Sequence, residues 1–503
     1  MELDFQTSVD YFWALLPEIV LSLWAMGVLL ADVFQKGSRS EASRPAIAWL
    51  ALAGIAAAAV ANVWLMTVTG TGGMIAVDGF RIFANFILLL AAALAILVSM
   101  GYLDRHAMNR GEFYVLLMFA VVGMMILASA QDLILLFVGL ELMSVAIYVL
   151  VGFNRRDPRS GEAALKYFLL GAFASAFLLY GIALVFGATG TTDLALLAET
   201  IGTGVQDAPL LLMMGVGLLA VGFAFKVAAM PFHVWTPDAY DGAPTPITAL
   251  MATGVKAAAF AALLRVFAVS FGGLHETWVV AFWWLAALTM IGANLVALTQ
   301  GSVKRMLAYS SIAHAGYVLV AVVAANAVGA AAFLFYLLVY TLMTAGAFGI
   351  VIANARGDRE RVSLEDYAGL GWQQPVMAAA FAIFLLSLAG FPLTGGFIGK
   401  LYILRAALAA DQVPLAVILV MASLISYFYY LRVVIVMYMR PAPAADTHAG
   451  LTASRPLQVA VGVAAIGVIL LFFAPAMVLD AAQGSVAGLF IAQEALFGLS
   501  RGP

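Results

Sequence analysis

The stretch that decides the fold is FKVAAMPFH, which runs from Phe225 to His233. It places a lysine and a proline inside a long apolar run, and further helix breakers follow at Pro237, Pro244 and Pro246. A proline has no backbone N–H to donate, and its ring clashes with the preceding helical turn. The stretch therefore predicts a helix break at Pro231, five residues after Lys226.

A second break of the same kind lies in AGFPLTGGF, residues 389–397, and is followed by Lys400. Its helix breakers are Gly390, Pro392, Gly395 and Gly396. Pro392 follows Pro231 by 161 positions, and a similar spacing separates the starts of the fourth and ninth apolar runs. This spacing indicates two blocks of five helices. Because five helices carry the chain to the opposite face of a membrane, the second block is expected to be inverted.

The apolar runs around the two breaks fill most of the chain. Of 503 residues, 65% are hydrophobic and 10% are charged, and the mean hydropathy is +1.05, which no soluble globule tolerates. About fourteen runs are long enough to span a bilayer as helices, at 11–34, 46–68, 80–102, 113–128, 131–153, 163–187, 209–233, 246–268, 277–299, 305–325, 328–354, 375–406, 414–439 and 457–479.

The predicted fold is an all-α polytopic membrane protein of about fourteen transmembrane helices, with two inverted five-helix repeats that each contain a discontinuous helix. We expect three N-terminal helices in residues 1–111 and the first repeat in 112–270. The second repeat is expected in 271–440, and a C-terminal transmembrane helix with a tail in 441–503.

The placement of basic residues predicts the orientation of these helices, since short loops rich in lysine and arginine stay in the cytoplasm. Fifteen of the 24 basic residues fall in every second loop, Lys304 and Arg305 among them. Both termini are then expected on the outer, periplasm-like side. The N-terminus lacks the features of a cleaved signal peptide. The chain has no cysteine, which excludes thiolate-bound iron–sulfur clusters, and its net charge of −3 gives no reason to expect nucleic acid.

Five basic residues remain inside apolar runs, where a central charge costs about 3 kcal/mol or more: Lys166, Lys226, Lys256, Lys400 and Arg432. Four of the six lysines, but one of the eighteen arginines, are in this set. A desolvated lysine can lose its proton whereas an arginine cannot, so this bias indicates groups that change charge. For Lys166 and Arg432, which are nearer the cytoplasmic surface, snorkelling is the alternative interpretation.

One acid and two histidines complete the set of buried candidates. Glu141 lies deep in its helix with no cation within one turn, so its partner must come from another helix; a permanent ion pair with a lysine is the alternative to a proton-transfer role. His233 and His314 are associated with helices and titrate near neutrality, although a buried histidine can also be a hydrogen-bonding residue without further function. Ser310, Ser311, Tyr309 and Tyr317 could extend a hydrogen-bonded path around His314.

Two segments carry a family resemblance. KVAAMPFHVWTPDAYDGAPTPITALMATGVK, residues 226–256, and GSVKRMLAYSSIAHAGY, residues 301–317, resemble the antiporter-like subunits of proton-pumping NADH:quinone oxidoreductase. Within that family the sequence is most similar to the subunit N branch. The supporting features are PFHVWTPDAYDGAPTP at 231–246, LLPEIVL at 15–21, a lysine at position 400 and the lack of a long lateral C-terminal helix.

The resemblance implies a role for each buried candidate. Glu141 and Lys226 match the family's ion pair, Lys256 its connecting lysine, and Lys400 the terminal lysine of the second repeat. His233 and His314 match its central histidines, and Lys166 a lysine that modulates the pair. In this interpretation the chain moves protons and holds no cofactor itself. NADH, FMN, iron–sulfur clusters and quinone belong to partner subunits.

The resemblance also implies the surroundings: the bilayer of a bacterial cytoplasmic membrane, other membrane-arm subunits with M and K as neighbours, and no nucleic acid. Two alternatives stay open. A subunit of a multisubunit Na⁺/H⁺ antiporter would share the broken helices but lack redox partners. A purely structural membrane spacer would tolerate replacement of its buried lysines by methionine.

Overall fold

The structure, a computed structural model, describes residues 1–35, 45–70, 73–204, 209–355, 360–442 and 453–497. An N-terminal block packs against the two repeats. It contains a two-residue parallel strand pair, β1 (Glu2–Leu3) with β2 (Thr69–Gly70). Its helices are α1 (Ser8–Ala14), α2 (Leu16–Gln35), α3 (Pro45–Trp64) and α4 (Gly79–Arg105).

The next helices correspond to the first predicted repeat. They are α5 (Gly111–Ser129), α6 (Leu133–Val151), α7 (Pro158–Thr189), α8 (Leu194–Thr203), α9 (Pro209–Lys226), α10 (Thr236–Gly242), α11 (Thr245–Leu250) and α12 (Lys256–Leu264). Two π-helical turns, Met251–Val255 and Arg265–Ser270, flank α12. Such turns occur often at functional sites, and the first of them directly precedes Lys256.

The remaining helices belong to the second predicted repeat and the C-terminal region. They are α13 (His275–Leu298), α14 (Val303–Ala324), α15 (Ala327–Ala353), α16 (Leu370–Gln373), α17 (Pro375–Ala389), α18 (Gly395–Ala409), α19 (Val413–Met439), α20 (Arg455–Phe473) and α21 (Pro475–Phe497). One continuous helix over 457–479 is wrong. The helix ends before Ala474 and a new helix begins at Pro475, because proline suits the first turn of a helix but not its interior.

Thirteen helices in the described residues are long and apolar enough to cross a membrane. The predicted run 375–406 is absent from these thirteen because it is divided into α17 and α18, of 15 residues each. The thirteen spans and this divided pair together confirm the prediction of about fourteen. The predicted break after Lys226 is also present, since α9 ends at that residue.

Two small backbone bridges support the inverted repeat. Asp132, which caps the N-terminus of α6, forms an isolated antiparallel bridge with Asp193. Ser302, which caps α14, forms the same kind of bridge with Ser363. Both partners of the second bridge lie 170 positions after those of the first. Five membrane spans, α6 included, lie between the start of α6 and the start of α14, so the two equivalent bridges lie on opposite faces of the membrane.

Three segments form the centre of the helix bundle. In the most apolar 18 residues of each segment, all residues of Thr245–Ser270 are buried, and 94% of those of Val303–Ala324 and Ala327–Ala353. By contrast, Leu133–Val151 and Pro158–Thr189 expose a large share of their side chains. The first of the three central segments carries Lys256, and the second carries His314. A charge at either position is therefore surrounded by protein and separated from lipid.

Candidate proton-transfer site

Lys226 is the last residue of α9, and its side chain is 3% exposed. Its amine donates to Ser144 Oγ at 2.7 Å and to Tyr148 OH at 3.4 Å, both on α6. The amine also lies 5.9 Å from the ring centroid of Tyr167. A cation at this position is favoured by the partial negative charge of the α9 C-terminus. Hydroxyl groups, an aromatic ring and a helix end thus surround the lysine.

Glu141 does not contact Lys226 directly, contrary to the expected ion pair. No oxygen of Glu141 lies within 4 Å of the Lys226 amine, although the structure describes both residues. The carboxylate is half-buried and instead accepts a hydrogen bond from Ser175 Oγ on α7. The physical reason is the register of α6: Ser144 and Tyr148 follow Glu141 by one and two turns on the same face, and the amine reaches these hydroxyls first.

Lys256 begins α12 and is 3% exposed. Its amine donates to the Ser311 carbonyl at 2.7 Å and to Ser311 Oγ at 2.5 Å. Both acceptors belong to α14. The connecting lysine is therefore held by neutral oxygens of the central helix.

His314 lies one turn after Ser311 on α14 and is 2% exposed. Its Nδ1 shares a hydrogen bond with Tyr336 OH at 2.5 Å, and its Nε2 is 3.3 Å from Tyr430 OH. Tyr317 follows after another turn, with its ring centroid 5.2 Å from that of the imidazole. The spacing of three residues places Ser311, His314 and Tyr317 along one side of α14.

Lys400 lies in α18 but binds the end of the preceding half-helix, α17. Its amine donates to the carbonyls of Leu388 and Ala389, both at 2.9 Å, and lies 4.5 Å from the ring centroid of Tyr317. Carbonyls in the last turn of a helix have no partner within the helix. The chain break frees these two oxygens, so the break itself creates the binding site for the amine.

Two glycines make this arrangement possible. Gly390 has φ +85°, in the left-handed region, and a Cβ there would lie 2.8 Å from Lys400 Cδ. At Gly396 a Cβ would lie 2.0 Å from the Ser387 carbonyl oxygen. The first glycine permits both the turn and the approach of the lysine. The second lets α18 pack closely against the end of α17.

Comparison with known proteins identifies the family. The sequence model described as NADH:quinone oxidoreductase/Mrp antiporter, TM matches residues 130–426. The protein named NADH-quinone oxidoreductase subunit N from Trichlorobacter lovleyi is 45% identical over 474 residues, which cover 94% of this chain and 96% of that protein. The chain belongs to the subunit N family of NADH-quinone oxidoreductase. It is thus a membrane subunit of a proton-translocating enzyme, as the resemblance predicts.

Solved structures agree with membership in the subunit N family. A chain of respiratory complex I from Thermus thermophilus superposes with a TM-score of 0.78 at 36% identity, and the match covers 93% of this chain and all of that one. A chain of the Mrp complex from Dietzia sp. gives a TM-score of 0.80 at 22% identity, over 96% of this chain and 99% of that one. At this low identity the second match shows a shared fold alone.

Two of the predicted site residues, Lys166 and His233, lie apart from the buried lysines. Lys166 is 45% exposed, and its amine forms salt bridges with Glu162 at 2.6 Å and Asp238 at 3.0 Å. His233 is half-buried, and its Nδ1 has no hydrogen-bond partner among the described residues. The structure therefore does not bring either side chain into contact with Lys226 or Lys256.

Sequence reasoning misses several polar residues of the site. Ser144 and Tyr148 could have been found from their helical spacing to Glu141. Ser175, Tyr336 and Tyr430 come from other helices, and the sequence carries no signal that places them beside their partners. Lys304, which the charge pattern places in a loop, is 2% exposed in the first turn of α14. In the described residues, no group of three or more His, Asp or Glu side chains could hold a metal ion.

Proposed function

We propose that protons cross this subunit through Glu141, Lys226, Lys256, His314 and Lys400, and that redox chemistry in partner subunits drives them. The observation that carries the proposal is the series of contacts along α14. Lys256 binds Ser311, His314 follows one turn later, and Tyr317 lies under the amine of Lys400. Lys256 on α12 and Lys400 on α18 thus contact turns of α14 on either side of His314.

The choice of partners supports proton transfer over a structural role. The deeply buried arginines are salt-bridged: Arg81 to Glu18 at 2.8 Å and Arg265 to Asp78 at 2.7 Å. Lys226, Lys256 and Lys400 have no carboxylate within 4 Å among the described residues and bind hydroxyls or carbonyls instead. A neutral partner stabilises the ammonium without fixing it, and burial disfavours the charge. Such partners allow a lysine to release its proton, which a salt-bridged arginine cannot do.

Glu141 acts on Lys226 through space in this proposal. The two side chains are joined by α6, on which Ser144 binds the amine one turn from the carboxylate. When Glu141 is ionised, its charge favours the protonated lysine; when Glu141 is neutralised from outside, the lysine releases its proton toward Lys256. His233 and Lys166 stay predictions, with His233 next to the first break and Lys166 in a charged cluster with Asp238.

The partners and the location complete the proposal. NADH, FMN, iron–sulfur clusters and quinone are assigned to other subunits, and subunits M and K to the neighbouring positions. The membrane is the bacterial cytoplasmic membrane, with both termini periplasmic, because the basic loops mark the cytoplasmic side. The fold is also compatible with a Na⁺/H⁺ antiporter subunit. Purification of the tagged chain distinguishes the two: redox subunits support the proposal, and small antiporter subunits contradict it.

The test of the route compares two variants at one position in the assembled complex. Lys256→Met removes the charge, whereas Lys256→Arg keeps a charge that cannot be released. Both variants should lower the number of protons pumped per electron in proteoliposomes oxidising NADH, and Glu141→Ala and Lys226→Ala should do the same. Co-purification of each tagged variant with the redox subunits reports assembly. An unchanged H⁺/e⁻ ratio in all four variants would refute the route.

A further inference from the structure

A polar cavity of about 900 Å³ lies on the side of the basic loops. It is bounded by the end of α4, the start of α7, the end of α10 and the segment around Glu360. Its lining is rich in charge and polarity, with Tyr102, Arg159, Asp241, Lys304 and Glu360 among the wall residues. A cavity of this size and polarity holds many water molecules. The route along α14 does not use it.

An ion pair lies in the wall of this cavity. Lys304, 2% exposed, donates to Glu360 Oε2 at 2.9 Å and to the Ala243 carbonyl at 2.9 Å. Glu360 also accepts a hydrogen bond from Thr245 Oγ1 at 2.5 Å. Burial raises the pKa of Glu360, but the charge of Lys304 and these hydrogen bonds outweigh that effect and hold the pKa below its ordinary value. The carboxylate is therefore ionised at neutral pH.

Lys304 of this pair lies on the same helix, α14, as the residue that binds Lys256. Lys304 and Ser311 are seven residues apart on α14, which places them on the same side of the helix at a rise of about 10 Å. Ser311 is the residue that holds the amine of Lys256. Tyr240 and Tyr340 also lie beside Ser311. Tyr240 belongs to α10, and the end of α10 lines the cavity.

We propose that this cavity is the aqueous entrance for protons from the side of the basic loops, and that Glu360 and Lys304 pass them to Lys256. This inference rests on the proposed route. A proton from water neutralises the Glu360 carboxylate and so removes the charge that holds the proton on Lys304. Lys304 then gives its proton inward to neutral Lys256, and Glu360 restores the proton on Lys304. One proton moves inward, and both members of the pair return to their starting charge.

The first experiment tests access to the cavity, and the cysteine-free chain suits it. Ala243→Cys places a thiol in the wall of the cavity, and Ala249→Cys places one at an equally buried position outside the lining. In oriented membrane vesicles, the charged thiol reagent MTSET should modify position 243 from the side of the basic loops and leave position 249 unmodified. Modification from the opposite side, or equal protection of both, would overturn the entrance.

The second experiment tests proton transfer by the pair. Glu360→Gln should lower the H⁺/e⁻ ratio of the intact complex at least twofold. The control is Glu365→Gln, five residues further along the chain, where Glu365 forms an exposed salt bridge with Arg440; this variant should leave the ratio unchanged. Glu360→Asp, which keeps a carboxylate, should restore part of the pumping. A combined Lys304→Met and Glu360→Met variant separates structure from transfer, because removing both members of a buried pair is often tolerated by the fold.

Each outcome then has one interpretation. If the double variant assembles but does not pump, the pair carries protons. If it pumps normally, the pair is structural and the inference fails. The Lys256 variants distinguish this failure from failure of the route, because Lys256→Met still lowers the H⁺/e⁻ ratio when only the entrance is misassigned.

Discussion

Gly390→Ala is the sharpest single perturbation of the second helix break. The residue ends α17 with φ +85°, and its missing side chain leaves the space that Lys400 occupies. An alanine Cβ would lie 2.8 Å from Lys400 Cδ, which is closer than real carbon contacts allow. The lysine stem is flexible, so it moves and the backbone stays. The amine then leaves the carbonyls of Leu388 and Ala389.

The size of the effect follows from these contacts. A left-handed backbone costs an alanine about 1–2 kcal/mol, which lowers stability without unfolding the protein. A hydrogen bond from a charged donor contributes about 1.5–3 kcal/mol. If the displaced amine loses one of its two bonds and this loss adds to the barrier, proton transfer through Lys400 slows by roughly tenfold to a hundredfold. The effect on pumping should therefore exceed the effect on stability.

Gly190→Ala is the matched control. Gly190 ends α7 in the same left-handed conformation, with φ +75°, and a methyl group added there would have no atom within 4 Å. Both variants should lower the thermal unfolding temperature, Gly390→Ala somewhat more, because only this variant also displaces the Lys400 amine. Proton pumping, measured by the quench of a pH-sensitive dye in proteoliposomes with NADH, should fall in Gly390→Ala alone. Equal pumping by the two variants would refute the role assigned to the carbonyl site.

Two further predictions concern the buried arginines. Arg81→Met should destabilise the protein by about 3–5 kcal/mol, because Glu18 loses its buried partner; combining it with Glu18→Met should recover part of that loss in thermal unfolding, and a double variant no more stable than the single one would contradict the pair. Burial raises the pKa of Asp78, but Arg265 and the backbone N–H of Arg81 outweigh burial and hold this pKa below its ordinary value of 3.8. The stabilisation by Asp78 is therefore present above that value and is lost as the pH falls through the lower pKa of the folded state. Asp78→Asn should therefore be less stable than the parent at pH 7, and the difference should shrink below about pH 4; a difference independent of pH would be inconsistent with this account.

The helix count and both breaks can be predicted from the sequence because their causes are local. Runs of about twenty apolar residues determine the membrane spans, and the prolines and glycines determine where helices end. The same local rules show that Lys256 lies far from either end of its run. The break at Ala474 escapes prediction because the apolar run continues across it, although Pro475 gives the required signal.

Contacts between helices cannot be predicted in the same way. Whether Lys226 reaches Glu141 or Ser144 depends on the rotation and axial position of α9 against α6. The two possible partners are only three residues apart on α6. The sequence pattern assigns Lys304 to a loop because it lies at the edge of an apolar run, whereas its burial comes from the segment that carries Glu360. A single sequence records the residues that pair but not the packing that brings them together.

The partners of the buried cations distinguish the arginines from the lysines more clearly than their positions in the sequence do. Arg81 and Arg265 cannot release a proton, and each is neutralised by a carboxylate. Lys226 is the last residue of the half-helix α9. Lys400 belongs to α18, but its amine binds the C-terminal carbonyls of the preceding half-helix, α17. The repeats thus reproduce an electrostatic environment without reproducing the lysine's position in the sequence. Such an environment favours a proton without holding it permanently, as a transfer site requires.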